Sequence, residues 1–338
     1  MSILRDEADA DPALPLETLF RRGAAAKCAD GLLVHSPKTG TLVLVCALTD
    51  LDGTANDEHV AERDRLATIL PAKEAFATLA RSGIVTGICT ARSTGEARHY
   101  QGYLGTTGPV ISENGAVITL ADGSQRILGD LAKLKATIRE ITHALGRPIP
   151  NSLDAAGLEA AWEKELRGES PPFLGHADRE SLRRAADRRA SCFLVGLSLR
   201  EKEVVAELAG RRGLTCFGDL LHLVPKGVDK GRAFAALNDD LLHRSAQPGW
   251  QPSVVSQIVF GNGENDLPLF EQALATGGWA VLVGDATKPQ GFHFDIGKQR
   301  VPKGTITLPG VSHGQAILQS LPTLRVFFAR QYGILFPW

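Results

Sequence analysis

The stretch TLVLVCALTDLDGT, residues 41–54, decides how the chain reads. A continuous apolar run that stops abruptly at polar residues suits a β-strand covered on both faces. Two carboxylates, Asp50 and Asp52, leave its end two positions apart. In an extended chain that spacing aims both side chains the same way. Gly53 then permits a sharp turn. Carboxylates so placed have two chemical uses. They hold a hard cation through oxygen ligands, or one attacks a phosphorus centre while its neighbour moves protons. A solvated turn is the plainer alternative, since Asp and Gly both favour turns, but a wholly apolar run ahead of the pair argues against it.

Outward from this stretch the design repeats. GIVTGICT (83–90), QIVFGNG (257–263) and WAVLVGDA (279–286) are further apolar runs with polar ends, and PVISENGAVI (109–118) is a weaker fifth. Helical patterns fall between them; PAKEAFATLARSG has Pro71 at a first helical position and Gly83 beyond the last turn. Alternation of strand and helix predicts a parallel sheet in an α/β fold. Ligands of such sheets bind beyond the carboxyl ends of the strands.

The middle of the chain differs in texture. DLAKLKATIREITHALG puts Leu131, Leu134, Ile138, Ile141 and Leu145 on one helical stripe, with Asp130 and Gly146 as caps. Ser198 and Glu201 stand at capping-box spacing. SCFLVGL (191–197) and LLHLV (220–224) read as strands. The expected organisation is an N-terminal extension at 1–40, a core of 41–118 and 225–320, an inserted α+β unit at 119–224 and a tail at 321–338. The tail's Phe327, Phe328, Phe336 and Trp338 suit a strap over the core or a subunit contact.

Composition narrows the function classes. Among 338 residues, 37 Lys and Arg face 38 Asp and Glu, for a net charge of −1, which lacks the basic excess of a general nucleic-acid binder. The five cysteines form no CxxC pair, so neither a disulfide scaffold nor a structural zinc site is expected. No apolar run reaches the roughly 18 residues of a membrane span. The acidic start MSILRDEADADPALPLE does not read as a signal peptide, so a cytoplasmic location is the default expectation. The basic run RESLRRAADRRA (179–190) reads as a solvated helix face rather than an anion site.

TDLDGT resembles the first signature of the haloacid dehalogenase superfamily, and three more segments follow in that family's order. CTAR ends the second strand at Thr90, GVDKGRAF carries Lys230, and GNGENDLPLF (261–270) matches the acidic fourth signature. ENGAVI and the long insertion resemble the subclass with an α/β cap. Among its members the chain is most similar to mannosyl-3-phosphoglycerate phosphatases, whose R-x-x-S-x-P cap pattern is matched by Arg167, Ser170 and Pro172.

The resemblance implies a Rossmann-like core with an inserted α+β cap and a Mg²⁺-dependent phosphatase acting through an aspartyl-phosphate. Asp50 would be the nucleophile and Asp52 the general acid and base. Thr90 and Lys230 would steady the phosphoryl group. Asp50, Asp52, Asn262 and Asp266 would hold Mg²⁺. Arg92, Asn114, Arg167 and Ser170 would bind substrate. The expected substrate is mannosyl-3-phosphoglycerate or a related glycosyl-glycerate phosphate, handled by a monomer or homodimer with no nucleic-acid or membrane partner. A sucrose-phosphate-like sugar phosphatase and a non-catalytic sugar-phosphate binder are the alternatives, and phosphoryl transfer to another sugar is compatible with the same motifs. One departure stands out: where the family places a metal-ligating Asp, this chain has Asn262, with Glu264 as an extra carboxylate nearby. An amide oxygen brings no charge, so a weaker hold on Mg²⁺ is expected.

Overall fold

A computed structural model describes residues 13–338 apart from 58–59, 61, 171–173, 175–176, 218–220, 247, 285–300, 309–310 and 312. The chain opens with β1 (Leu14–Pro15), α1 (Leu16–Arg21) and a hairpin of β2 (Ala25–Cys28) and β3 (Gly31–His35). Then follow β4 (Leu42–Thr49), α2 (Glu62–Thr68), α3 (Leu70–Arg81), β5 (Val85–Cys89), α4 (Thr94–Leu104), β6 (Val110–Ser112), β7 (Val117–Thr119) and β8 (Gln125–Ile127). A second unit contains α5 (Leu131–Leu145), α6 (Ala155–Leu166), α7 (Arg179–Ala185), β9 (Cys192–Leu194), α8 (Leu199–Arg211), β10 (Leu214–Phe217) and β11 (Leu221–Pro225). The chain returns through α9 (Lys230–Arg244), β12 (Val254–Gly261), α10 (Leu267–Ala275), β13 (Trp279–Leu282), β14 (Ile306–Thr307), α11 (His313–Tyr332) and β15 (Ile334–Leu335).

The main sheet has the order β14-β13-β12-β4-β5-β6-β7-β8, parallel from β14 to β6 and antiparallel beyond. All eight residues of β4 are buried, as a strand covered on both faces must be. Its alternation assigns the two faces. Val43, Val45 and Ala47 enter the core under α3, α4 and α11, while Leu42, Leu44, Cys46 and Leu48 enter the core under α9 and α10. The sheet continues through Ile127, past the boundary at 119 that the sequence texture suggested. The second unit is a three-stranded antiparallel sheet, β10-β11-β9, against α5 and α8. Leu134, Ile138 and Ile141 of the expected stripe are buried there, Asp130 and Gly146 cap α5, and Ser198 and Glu201 form the expected capping box.

Both ends of the described chain are built into the core. β3 pairs with the first half of β4, on the edge whose second half belongs to β5. The extension at 1–40 is therefore structural from Leu14 onward. β1 pairs with β15, and Phe328 and Phe336 are fully buried while Trp338 packs on the same core. Phe328 sits 4.0 Å from the Trp279 ring centroid and 4.7 Å from that of Phe336. The aromatic tail is thus a core strap, and Phe328→Ala is expected to cost about 3–5 kcal/mol, measurable by urea denaturation. Among the described residues, no helix is long and apolar enough to cross a membrane, and all five cysteines are free.

Candidate active site

The carboxyl ends of β4, β5 and β12 converge, and the polar residues that finish them form one hydrogen-bonded group. Asp50 follows β4; its backbone N–H donates to the Phe260 carbonyl of β12 at 2.9 Å. Its carboxylate lies 3.0 Å from Lys230 Nζ. Lys230 is the first residue of α9, which Asp229 caps, and its side chain is 1% exposed. The same ammonium donates to Asp266 Oδ1 at 2.6 Å. Asp266 Oδ2 accepts from the backbone N–H groups of Asn262 and Gly263, both at 3.0 Å. A methyl group on Gly261 would meet the Asp266 carboxyl carbon at 2.6 Å, so β12 needs glycine where it meets this carboxylate.

One buried lysine is shared between two buried carboxylates. Lys230 is held protonated: burial opposes its charge, but Asp266 and Asp50 more than offset that. For Asp50, burial dominates and raises the carboxyl above its ordinary range, against the pull of Lys230; Asp266 and Asp52 add to the rise. The arrangement is short of positive charge beside Asp50.

Asp52 faces another way. Arg92 holds it with a two-pronged contact, Nε to Oδ2 and Nη2 to Oδ1, each 2.8 Å. Burial raises the Asp52 carboxyl, but the Arg92 guanidinium outweighs it, and the net position is below the usual carboxylate range. Arg92 also pairs with Glu96 at 3.0 Å and lies 4.9 Å from the Tyr100 ring centroid. The Thr90 hydroxyl accepts from the Arg92 N–H at 3.2 Å, which leaves its O–H as a donor. Asn114 has left-handed backbone (φ 57) and donates its N–H to the Thr90 carbonyl at 3.1 Å. Its Oδ1 accepts from Asn265, while its Nδ2 is buried without a partner among the described residues. A non-glycine residue in this conformation is strained, and such strain gathers at working sites.

The donors suit a hard divalent cation. Asp50 has one carboxylate oxygen on Lys230 and no hydrogen-bond partner on the other among the described residues. Asn262 Oδ1 faces the same turn, where it accepts from Thr54 Oγ1 at 2.9 Å. Oxygen donors beside an uncompensated buried carboxylate are what Mg²⁺ requires. Asp266, with both oxygens engaged, is placed to orient Lys230 and the Asn262–Gly263 turn. The Glu264 side chain lies outside the described residues.

The structure thus brings together Asp50, Asp52, Thr90, Arg92, Asn114, Lys230, Asn262 and Asp266. It does not bring Arg167 to them. That guanidinium is 54% exposed and bound to Glu169 at 2.6 Å, at the C-cap of α6. Ser170 is half-buried next to it, and Pro172 lies outside the described residues. Two residues escaped the sequence reading. Glu113 is fully buried, and its carboxylate accepts from the N–H groups of Arg189, Ala190 and Ser191 and from the Ser191 hydroxyl. Arg188 is buried nearby, although its run read as a solvated helix face. Arg179 and Arg183 obey that reading, paired with Glu163 and Glu159 at the surface. The helix stops at Ala185, however, and Arg188 to Ser191 repeat the R-x-x-S spacing of Arg167 to Ser170. That spacing was the available signal.

Residues 47–146 match the family described as haloacid dehalogenase-like hydrolase. A phosphoglycolate phosphatase from Methanopyrus kandleri is 26% identical over 243 residues, covering 71% of this chain and 84% of that one. A glucosyl-3-phosphoglycerate/mannosyl-3-phosphoglycerate phosphatase from Persephonella marina is 26% identical over 235 residues, covering 66% and 80%. Among solved structures, a Thermoplasma acidophilum protein superposes with a TM-score of 0.54 at 20% identity, covering 83% of this chain and 98% of that one. A haloalkanoate-superfamily phosphatase from Bacteroides thetaiotaomicron gives 0.52 at 17% identity, covering 86% and 97%. At these identities the structures speak for the fold alone.

Proposed function

The chain belongs to the haloacid dehalogenase-like hydrolases and is a phosphatase, and from that premise we propose that it hydrolyses the phosphate monoester of a small hydroxy acid, glycosyl-3-phosphoglycerates first among them, with Mg²⁺ bound. The observation that carries this reading is the buried Asp50 carboxylate, with one oxygen on Lys230 and the other unpartnered among the described residues. The named substrates of the two relatives share a phosphate ester and a carboxylate on a short carbon skeleton, which supports this class.

The residues divide the work. Asp50 attacks phosphorus; the bond to the ester oxygen breaks, and Asp52 gives that oxygen its proton. A water then attacks the aspartyl-phosphate while Asp52 takes its proton, which releases phosphate and restores Asp50. Asp52 is held ionised by Arg92 before substrate arrives, so for the first step the ion pair must loosen and Asp52 must take up a proton from solvent. Thr90 Oγ1 and Asn114 Nδ2 are donors for the phosphoryl oxygens, and Lys230 offsets their charge. Asp50, the main-chain carbonyl of Asp52 and Asn262 would hold Mg²⁺, with Asp266 behind Lys230. When bound, the cation supplies the charge that lets an anionic carboxylate approach an anionic ester.

Phosphate release from mannosyl-3-phosphoglycerate, glucosyl-3-phosphoglycerate, sucrose phosphate and phosphoglycolate, each with and without Mg²⁺, tests the proposal. Removal of divalent cations with EDTA is expected to stop release and added Mg²⁺ to restore it. Asn262→Asp is expected to lower the Mg²⁺ needed for half-maximal rate by roughly tenfold, as one added charge-assisted contact would. An unchanged Mg²⁺ titration would remove Asn262 from the metal site.

A further inference from the structure

Arg188 lies between α7 and β9, on the segment that seats the second unit on the core. Two contacts fix that seat. Ser93 Oγ donates to the Arg184 carbonyl at 2.6 Å, and Glu113 gathers the N–H groups of residues 189–191. Within it the Arg188 side chain is buried, with the residue 7% exposed. Its Nη2 donates to the Ala91 carbonyl at 3.1 Å, its Nη1 to Ser191 Oγ at 2.9 Å, and its guanidinium carbon lies 5.1 Å from the Phe193 ring centroid. Nε is buried with no hydrogen-bond partner among the described residues.

What sets this arginine apart is its missing counter-ion. Arg179, Arg183 and Arg184 each reach a glutamate. Among the described residues Arg188 forms no ion pair. The Glu113 carboxylate is one hydroxyl away, through Ser191, and its oxygens are already filled by four donors. A buried cation without a partner is costly, so its retention calls for an anion supplied from elsewhere. Its place says which anion. Ala91 stands between Thr90, which faces the phosphoryl position, and Arg92, which holds Asp52. The planar fork of a guanidinium matches a carboxylate, and the Phe193 ring steadies its plane.

We propose that Arg188 binds the carboxylate of the substrate and so selects phosphorylated hydroxy acids over phosphate esters that lack a carboxylate. The inference rests on the phosphatase reading above and assigns to Arg188 the role the sequence pattern gave Arg167. A strut between the two units is the rival role, and a matched pair of esters separates them: phosphoglycolate and 2-hydroxyethyl phosphate, which differ in the carboxylate alone. The parent protein is expected to prefer phosphoglycolate. Arg188→Met is expected to lower the ratio of kcat/KM values, phosphoglycolate over 2-hydroxyethyl phosphate, at least about tenfold, mainly through KM for phosphoglycolate. Arg188→Lys keeps the charge without the fork and is expected to lose part of the ratio; it also covers the case in which the methionine variant does not fold. Equal losses on both esters in the folded variant would make Arg188 a strut and overturn the proposal. So would a parent protein that hydrolyses both esters alike, with the phosphatase reading intact. A parent that hydrolyses neither, nor any glycosyl-glycerate phosphate, would overturn both.

Discussion

Asp50→Asn is expected to lower phosphate release by about 10⁴-fold or more, the scale seen when a covalent nucleophile is removed. The substitution is nearly isosteric, so the turn after β4 should persist. What changes is one oxygen and one charge. An amide is a poor nucleophile and carries no negative charge for a cation. The fold should not suffer with it. Asp50 and Asp266 share one ammonium, and burial already disfavours the Asp50 charge. Taking that charge away leaves the 2.6 Å pair between Lys230 and Asp266 complete. The thermal midpoint of Asp50→Asn is therefore expected to equal or exceed that of the parent, the usual signature of a group kept for activity at the expense of stability. Phosphate release at the parental rate would end the nucleophile assignment. A large fall in midpoint would show that Asp50 is structural instead.

Lys230→Met is expected to do the reverse on stability and the same on activity. Without the ammonium, Asp50 and Asp266 face each other in a buried site with no positive partner. Breaking a buried ion pair by removing one member costs about 3–5 kcal/mol. Denaturant unfolding of Lys230→Met should show that loss, and phosphate release should vanish even where the protein remains folded. The double variant Lys230→Met with Asp50→Asn should recover part of the stability and none of the activity. If the single and double variants unfold alike, the two carboxylates do not share the lysine in solution.

The two predictions rest on different kinds of information. The apolar run from Leu42 to Leu48 followed by two acids was legible as a buried strand with a chemical end, because the burial of both faces is written in a residue pattern only a few positions long. The helix stripe from Leu131 to Leu145 and its caps were legible for the same reason. Asp50, Asp52, Thr90 and Lys230 could be named from ordered local motifs, each at the end of a strand or the start of a helix. Local pattern could not show that Lys230 serves two carboxylates, since Asp50, Lys230 and Asp266 meet only when β4, α9 and the turn after β12 are assembled.

Arg167 and Arg188 mark the other limit. Both are arginines followed three residues later by serine, and only the proline two positions further on, present after Ser170 and absent after Ser191, separates them locally. Packing separates their roles. Arg167 ends a helix, exposed and paired with Glu169, whereas Arg188 is buried and reaches the loop after β5. The role of Glu113 was hidden for the same reason: its four donors lie about seventy-five positions further along the chain. Sequence alone determined the buried strand β4 and the capped helix α5, because short-range periodicity and capping settle them, and its motifs named Asp50 and Asp52 as candidate acids. Which arginine is buried without a counter-ion, and which acid anchors the second unit, was decided by tertiary structure, because burial and charge balance depend on neighbours that are distant along the chain.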